Sequence, residues 1–124
     1  MSKFLLKVLS VTHWTDTLFS FQIERPKDFK FKSGEFVMIG LPNSDKPILR
    51  AYSICSPSWD EKLEFYSIIV ENGPLTSKLK NIKINDEIIL MSKSTGTLIL
   101  DALKPAKRLF LFSTGTGFAP FSSI

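Results

Sequence analysis

Phe19-Ser20-Phe21-Gln22-Ile23-Glu24-Arg25-Pro26 decides the fold class. Large apolar side chains at 19, 21 and 23 alternate with polar ones at 20, 22 and 24, the period of two that a half-buried strand imposes. Pro26 closes the run, because proline has no N–H to give to a ladder. The same pattern recurs on both sides. Upstream, Phe4, Leu6 and Val8 alternate with Leu5, Lys7 and Leu9. Downstream, a Ser33-Gly34 turn precedes the Glu35–Leu41 run, and Pro42-Asn43-Ser44-Asp45 forms a loop. Leu49–Cys55 is extended and closed by Ser56-Pro57-Ser58; Leu63–Val70, Asp86–Met91 and a short Thr97–Leu100 run follow. Short strands at such even spacing predict an antiparallel barrel or sandwich. No repeat or low-complexity stretch interrupts them.

Two places depart from this pattern. Pro74-Leu75-Thr76-Ser77-Lys78-Leu79-Lys80-Asn81 predicts a short helix, with proline near its start and Leu75 and Leu79 four apart on one face. Near the end, Arg108-Leu109-Phe110-Leu111-Phe112 has no polar face, as in a buried parallel strand. It runs into Thr114-Gly115-Thr116-Gly117 and then Phe118-Ala119-Pro120-Phe121, where proline suits the first turn of a helix. A strand, a glycine turn and a helix start open a βα nucleotide-binding unit. A parallel strand needs a crossover and a neighbour. We therefore expect a β domain over 1–104 and, over 105–124, the incomplete start of an α/β domain belonging to a longer protein.

With 124 residues, 44% of them hydrophobic and 23% charged, the chain suits one folded domain and not a disordered one. No apolar run approaches the roughly 18 residues a membrane span needs. The Lys3-Phe4-Leu5-Leu6 start is broken by Lys7 and lacks a cleavage site, so a signal peptide is not expected. The one cysteine, Cys55, has no partner for a disulfide, which points to a reducing, cytoplasmic setting. With one histidine as well, zinc and iron–sulfur sites are not expected. The net charge of +4 favours an acidic partner, but the lysines are scattered and argue against nucleic acid.

Arg50-Ala51-Tyr52-Ser53 offers a guanidinium fork for phosphate, an aromatic ring for stacking and a small hydroxyl. Alternatively it is a cross-strand Arg–Tyr pair on a solvated face. Gly73-Pro74-Leu75-Thr76-Ser77 feeds a helix start, a natural place for an anion. Alternatively it is a plain helix with Thr76 or Ser77 as N-cap. Cys55 reads as a small half-buried hydrophobe, His13 and Trp14 as surface or edge structure, and Phe29, Phe31 and Phe36 as core or rim. Taken together, the first two motifs suggest a phosphate held from two sides with an aromatic platform beside it.

These residues resemble the ferredoxin–NADP+ reductase superfamily. Arg50-Ala51-Tyr52-Ser53 is similar to its flavin-binding R-x-Y-S motif, Gly73-Pro74-Leu75-Thr76-Ser77 to its pyrophosphate motif, and Thr114-Gly115-Thr116-Gly117-Phe118-Ala119-Pro120 to the start of its NADP-binding domain. The wording RAYSICSP, EFYSIIVENGPLTS, KSTGTL and TGTGFAPF looks closest to the bacterial ferredoxin/flavodoxin–NADP+ reductases. The resemblance implies a six-stranded antiparallel Greek-key barrel that binds FAD, followed by an α/β domain for NADP(H). It implies that Arg50 holds the FAD phosphates and Tyr52 stacks on the isoalloxazine. Ser53 would hydrogen-bond near its N5 or O4, making Tyr52 and Ser53 the pair nearest the chemistry. Ala51 belongs to the same motif. Tyr66 would contact flavin or ribose, Pro74, Leu75 and Thr76 would line the pyrophosphate, and Thr116 would approach flavin and nicotinamide. Implied partners are NADPH and an acidic ferredoxin or flavodoxin, met by a monomer. The missing NADP domain implies inefficient NADPH oxidation by this chain, with weaker FAD binding and a more exposed ring. Rival readings are an NAD(P)H-dependent flavin oxidoreductase, the reductase component of an oxygenase, or a non-enzymatic β-barrel binding module.

Overall fold

The computed structural model describes residues 3–42 and 45–124; of the expected Pro42–Asp45 loop, Asn43 and Ser44 lie outside the described residues. Six strands form: β1 (Lys3–His13), β2 (Leu18–Glu24), β3 (Phe36–Gly40), β4 (Leu49–Ser53), β5 (Lys62–Ile68) and β6 (Glu87–Met91). Every pairing is antiparallel, in the spatial order β4-β3-β6-β1-β2-β5. The links from β2 to β3 and from β5 to β6 therefore cross over other strands, the Greek-key arrangement. The sheet curls until its two edge strands meet. There the Cys55 N–H, just past β4, donates to the Glu64 carbonyl of β5 at 2.8 Å. Beyond that bond β4 and β5 do not pair, which leaves a seam in a nearly closed barrel.

Alternation in the sequence becomes burial in the barrel. Phe19, Phe21 and Ile23 of β2 and Leu63 and Phe65 of β5 face inward and are fully buried, and Phe21 pairs directly with Phe65. Leu6 and Val8 also turn inward, while Leu5 and Leu9 remain exposed. Phe29 and Phe31 join this core, whereas Phe36 is half-buried. Arg25 anchors the loop that carries them. Its guanidinium donates to the carbonyls of Phe29, Ser58 and Asp60 and lies 4.8 Å from the Phe31 ring centroid.

The sequence-based reading needs three corrections. Thr97–Leu100 is no strand; a single bridge between Phe36 and Thr95 is all that pairs there, followed by a 3-10 turn at Leu100–Ala102. Arg108–Phe112 is neither a strand nor buried: Phe110 is 71% and Phe112 84% exposed. An isolated parallel strand has no ladder to satisfy its N–H and C=O groups, and no described strand lies beside this one. The predicted helix is shorter than expected, α1 (Thr76–Leu79), although Leu75 and Leu79 are both buried as the four-residue spacing required. The second predicted helix start is α2 (Phe118–Ser123), with Pro120 in its first turn.

Gly34 makes one fold-level prediction. It has a φ of +102°, and a Cβ built there would lie 1.7 Å from the Leu98 carbonyl oxygen. Gly34→Ala should cost about 1–3 kcal/mol, from strain at a backbone conformation unsuited to a side chain and from displacement of the 97–99 segment. Urea unfolding of the two proteins measures this; equal midpoints would contradict the close approach.

Candidate functional site

The open seam between β4 and β5 gathers most of the predicted site residues. At one end lies a cleft of about 700 Å³. Its walls include Ile48 before β4, Gly73 and Pro74 before α1, and Ser77, Lys78 and Lys80 on and after that helix. A volume of that order suits a sizeable organic ligand. The turn into α1 is tight: the Gly73 N–H donates to the Val70 carbonyl, and Asn72 sits at φ +61°. Neither Thr76 nor Ser77 caps the helix; the residue preceding it is Leu75. The Thr76 hydroxyl instead accepts from the Val70 N–H at 3.1 Å and donates to the Val70 carbonyl at 3.2 Å. Because the short helix starts without a side-chain cap, the Leu75 and Thr76 N–H groups donate to no acceptor among the described residues.

Arg50 stands on β4, two residues beyond Ile48 and so on the same side of the extended chain. It is exposed, and its Nη1 donates only to the Leu49 carbonyl at 3.0 Å. It forms no ion pair among the described residues. Its fork is therefore open to an anion. Ala51 is exposed on the opposite side.

Tyr52 on β4 and Tyr66 on β5 face opposite sides of the barrel wall. Tyr52 is half-buried and turned toward the barrel interior. Its ring meets Phe65 edge-on at 6.5 Å, and its hydroxyl and that of Ser67 lie 3.2 Å apart. Tyr66 points outward. Its ring lies 6.2 Å from that of Phe118 at the start of α2. These rings, with Trp14, Leu18 and Gly115, line an apolar slot of about 280 Å³. Ser53 is half-buried at the end of β4, opposite Phe36, and its hydroxyl has no hydrogen bond among the described residues. Thr116 is half-buried within the 3-10 turn Gly115–Gly117 that leads into α2.

The predicted residues thus fall into two groups joined by β4. Pro74 lines the cleft near one end of the strand, and the buried Leu75 and then Thr76 follow it in the chain without lining the cleft. Cys55, Tyr66 and the Thr116 turn cluster past the other. Arg50 and Ser53 are three residues apart, roughly 10 Å along an extended strand. Sequence reasoning missed Lys78 and Lys80, whose charges flank the cleft, and it left Trp14 as mere edge structure. Trp14 in fact lines the slot, its Nε1–H donating to the Ser20 hydroxyl at 2.9 Å. The sequence did hold one clue, since both lysines follow directly on the Pro-Leu-Thr-Ser segment. Cys55 is fully rather than half buried, beside Glu64, Tyr66 and Ser122.

Burial acts on the titration of this region. It pushes the Tyr66 phenol up to about 12, with Cys55 and Glu64 adding to the shift. Burial also raises Tyr52, while Ser67 and Arg50 pull the other way. Burial raises the Cys55 thiol as well, which keeps it protonated and unreactive near neutral pH. A raised phenol pKa means that the folded chain holds its proton where the unfolded chain has lost it. The stabilising contribution of Tyr66 is complete below the ordinary phenol pKa of about 10 and disappears as the pH climbs through about 12. These are the only two tyrosines. An absorbance titration at 295 nm should therefore show well under half of the phenol ionised at about pH 10, where free tyrosine is half ionised. Half ionisation at that pH would contradict both environments.

Among the described residues no cluster of His, Cys, Asp or Glu is arranged to hold a metal ion, and no helix is long and apolar enough to cross a membrane.

Comparison with known proteins agrees with the barrel fold. Residues 4–98 match the model of the oxidoreductase FAD-binding domain family. The chain is 63% identical over 118 residues to a flavodoxin/ferredoxin–NADP reductase of Rhodobacter capsulatus, covering 94% of this chain and 44% of that protein. Among solved structures it is similar to a ferredoxin NADP+ reductase from Neisseria gonorrhoeae with bound FAD and NADP. That likeness has a TM-score of 0.94 and 32% identity, and covers 99% of this chain and 50% of the other. A ferredoxin reductase in carbazole 1,9a-dioxygenase is less similar, with a TM-score of 0.66, 28% identity and coverage of 77% of this chain and 29% of the other. The chain spans about half the length of the curated relatives it matches.

Proposed function

Because the chain belongs to the family of oxidoreductase FAD-binding domains, we propose that it serves as the flavin-holding half of a ferredoxin/flavodoxin–NADP+ reductase. The family sets aside the reading as a binding module with an accidental motif. The observation that carries the finer reading is the cleft beside α1, lined by Lys78 and Lys80 as well as Glu71, with Arg50 exposed on β4 and in no ion pair among the described residues. Cationic side chains and N–H groups at Leu75 and Thr76 with no internal acceptor fit a diphosphate. Tyr66 and Trp14, on the walls of the apolar slot, fit a planar ring system, while Tyr52 packs with Phe65 on the other side of the barrel wall.

The bound flavin would supply the chemistry, accepting a hydride from a nicotinamide and passing electrons singly to a carrier. This chain's own residues would bind and orient it. Arg50, with main-chain groups of Pro74, Leu75 and Thr76, would hold the diphosphate. Tyr52 would offer its ring, held by Phe65 and by the hydroxyl contact to Ser67. Ser53 would present a hydroxyl not engaged elsewhere among the described residues, near the reactive edge. Tyr66 and Thr116 would close the far side and keep water from that edge. NADPH would come from residues beyond this chain's barrel, and the net charge of +4 suits an acidic ferredoxin or flavodoxin. A lone unpaired cysteine suits a reducing, cytoplasmic setting. The lower similarity to the oxygenase-associated structure favours the ferredoxin/flavodoxin reductase over an oxygenase component.

The direct test is FAD binding by the purified chain. We expect a yellow protein after gel filtration and a rise in Tm with added FAD; at 100 times Kd the stabilisation is about 2.7 kcal/mol. A colourless chain whose Tm ignores FAD would overturn the reading.

A further inference from the structure

We propose that Ser123 is a positioning residue that latches α2, and with it the Thr116 turn, onto the outer face of β5. The inference rests on the reading of Tyr66 and Thr116 as flavin neighbours. The docking contact is specific. The Ser123 hydroxyl donates to the Ser56 carbonyl at 2.6 Å, across 67 residues of sequence, with both residues buried. Ser56 is itself held by the barrel, because its hydroxyl accepts from the Glu64 N–H of β5 at 3.0 Å. One residue thus ties a barrel strand through its side chain and α2 through its carbonyl.

The other α2 contacts follow from that tie. Ala119 and Pro120 are buried, Ser122 lies beside the buried Cys55, and the Phe118 ring reaches Tyr66. The Gly115 turn sits against Ile68: a Cβ there would be 3.5 Å from the Ile68 side chain. Glu64 belongs to the same bonded row, accepting from Gln22 at 3.1 Å, and Gln22 in turn accepts from the Ser10 hydroxyl. This row braces the strand that α2 docks on, while the latch itself is the Ser123 hydroxyl to Ser56 carbonyl bond. Without the Ser123 hydroxyl the Ser56 carbonyl is left buried without its Ser123 donor, and α2 keeps the Ser122–Cys55 side-chain contact beside it.

Three variants of the full chain test this. Ser123→Ala removes the latch. Ser123→Thr restores a hydroxyl. Ser56→Ala loses the hydroxyl bond to Glu64 but keeps the accepting carbonyl, whose position the adjacent Cys55 N–H to Glu64 carbonyl bond at 2.8 Å still holds. Without FAD, NMR should show Tyr66–Phe118 ring cross-peaks in the native protein, in S123T and in S56A, and at least a threefold loss of their intensity in S123A, with β-sheet chemical shifts unchanged. With FAD, the visible absorption band of S123A should lose vibronic structure, and S123T should recover it. Equal ring contacts in S123A and the native protein would overturn the proposal. So would an equal loss in S56A, or loss of the barrel fold in S123A, since either makes Ser123 a general stabiliser. A native chain that binds no FAD but shows the ring cross-peaks and their loss in S123A would sink the flavin reading while leaving the latch intact.

Discussion

Arg50→Glu lowers FAD affinity by about 100-fold or more, measured by titrating flavin fluorescence against the purified chain. The magnitude comes from the charge-assisted bonds an arginine fork makes to phosphate. Each contributes roughly 1.5–3 kcal/mol, and about 1.4 kcal/mol is a factor of ten in Kd. Glutamate removes those bonds and adds repulsion between like charges. Arg50→Lys keeps the charge and loses the fork, so a drop of about tenfold is expected. Folding should be untouched by either change. The guanidinium is exposed and, among the described residues, bonds only to the carbonyl of the preceding residue, so its loss leaves no buried group there without a partner. Equal Tm values for the FAD-free proteins check that separation. A Kd for R50E within twofold of the native chain would place the diphosphate elsewhere, with Lys78 and Lys80 the next residues to test.

Arg50 is singled out by the resemblance of its tetrapeptide to a flavin-binding motif, whereas periodicity explains which parts of the fold were legible. Phe19, Phe21 and Ile23 repeat at the strand period, and burial follows that period directly. Leu75 and Leu79 repeat at the helix period, and both are buried although α1 has only four residues. Local pattern failed where pairing depends on a distant neighbour. Arg108–Phe112 has the composition of a buried parallel strand, but composition cannot supply the strands on either side, and the segment stays exposed. Thr97–Leu100 failed for the related reason that Gly96, at φ +135°, turns the chain away after one bridge. In the candidate site, the strands and turns that carry the motifs were legible but the sides their residues face were not. Tyr52 and Tyr66 look equivalent as aromatic residues in neighbouring strands. Only the barrel's closure puts one against Phe65 inside and the other against Phe118 outside. Lys78, Lys80 and Trp14 lie outside any motif, and only the folded chain brings them to the cleft and the slot.

Phe65→Ala should be the most damaging core truncation, costing about 3–5 kcal/mol. Phe65 is wholly buried at the middle of β5, its ring 5.5 Å from Phe21 and 6.5 Å from Tyr52. Removing it leaves a cavity between two strands that cannot collapse without breaking the β2–β5 register, which runs unbroken from Leu18 to Glu24. A typical domain has only about 5–15 kcal/mol of stability, so F65A should lose a large fraction of it and unfold at a much lower urea concentration. Phe65→Leu keeps most of the volume and should cost less than about 1.5 kcal/mol. The pair separates packing from function. Phe65 backs the Tyr52 ring edge-on, so F65A should also weaken FAD binding at temperatures where the barrel remains folded, while F65L should bind nearly as the native chain does. Unfolding curves and FAD titrations on the same two variants decide it. A loss under about 1.5 kcal/mol in F65A would show that the site relaxes freely, and the barrel core would then be far looser than its burial implies.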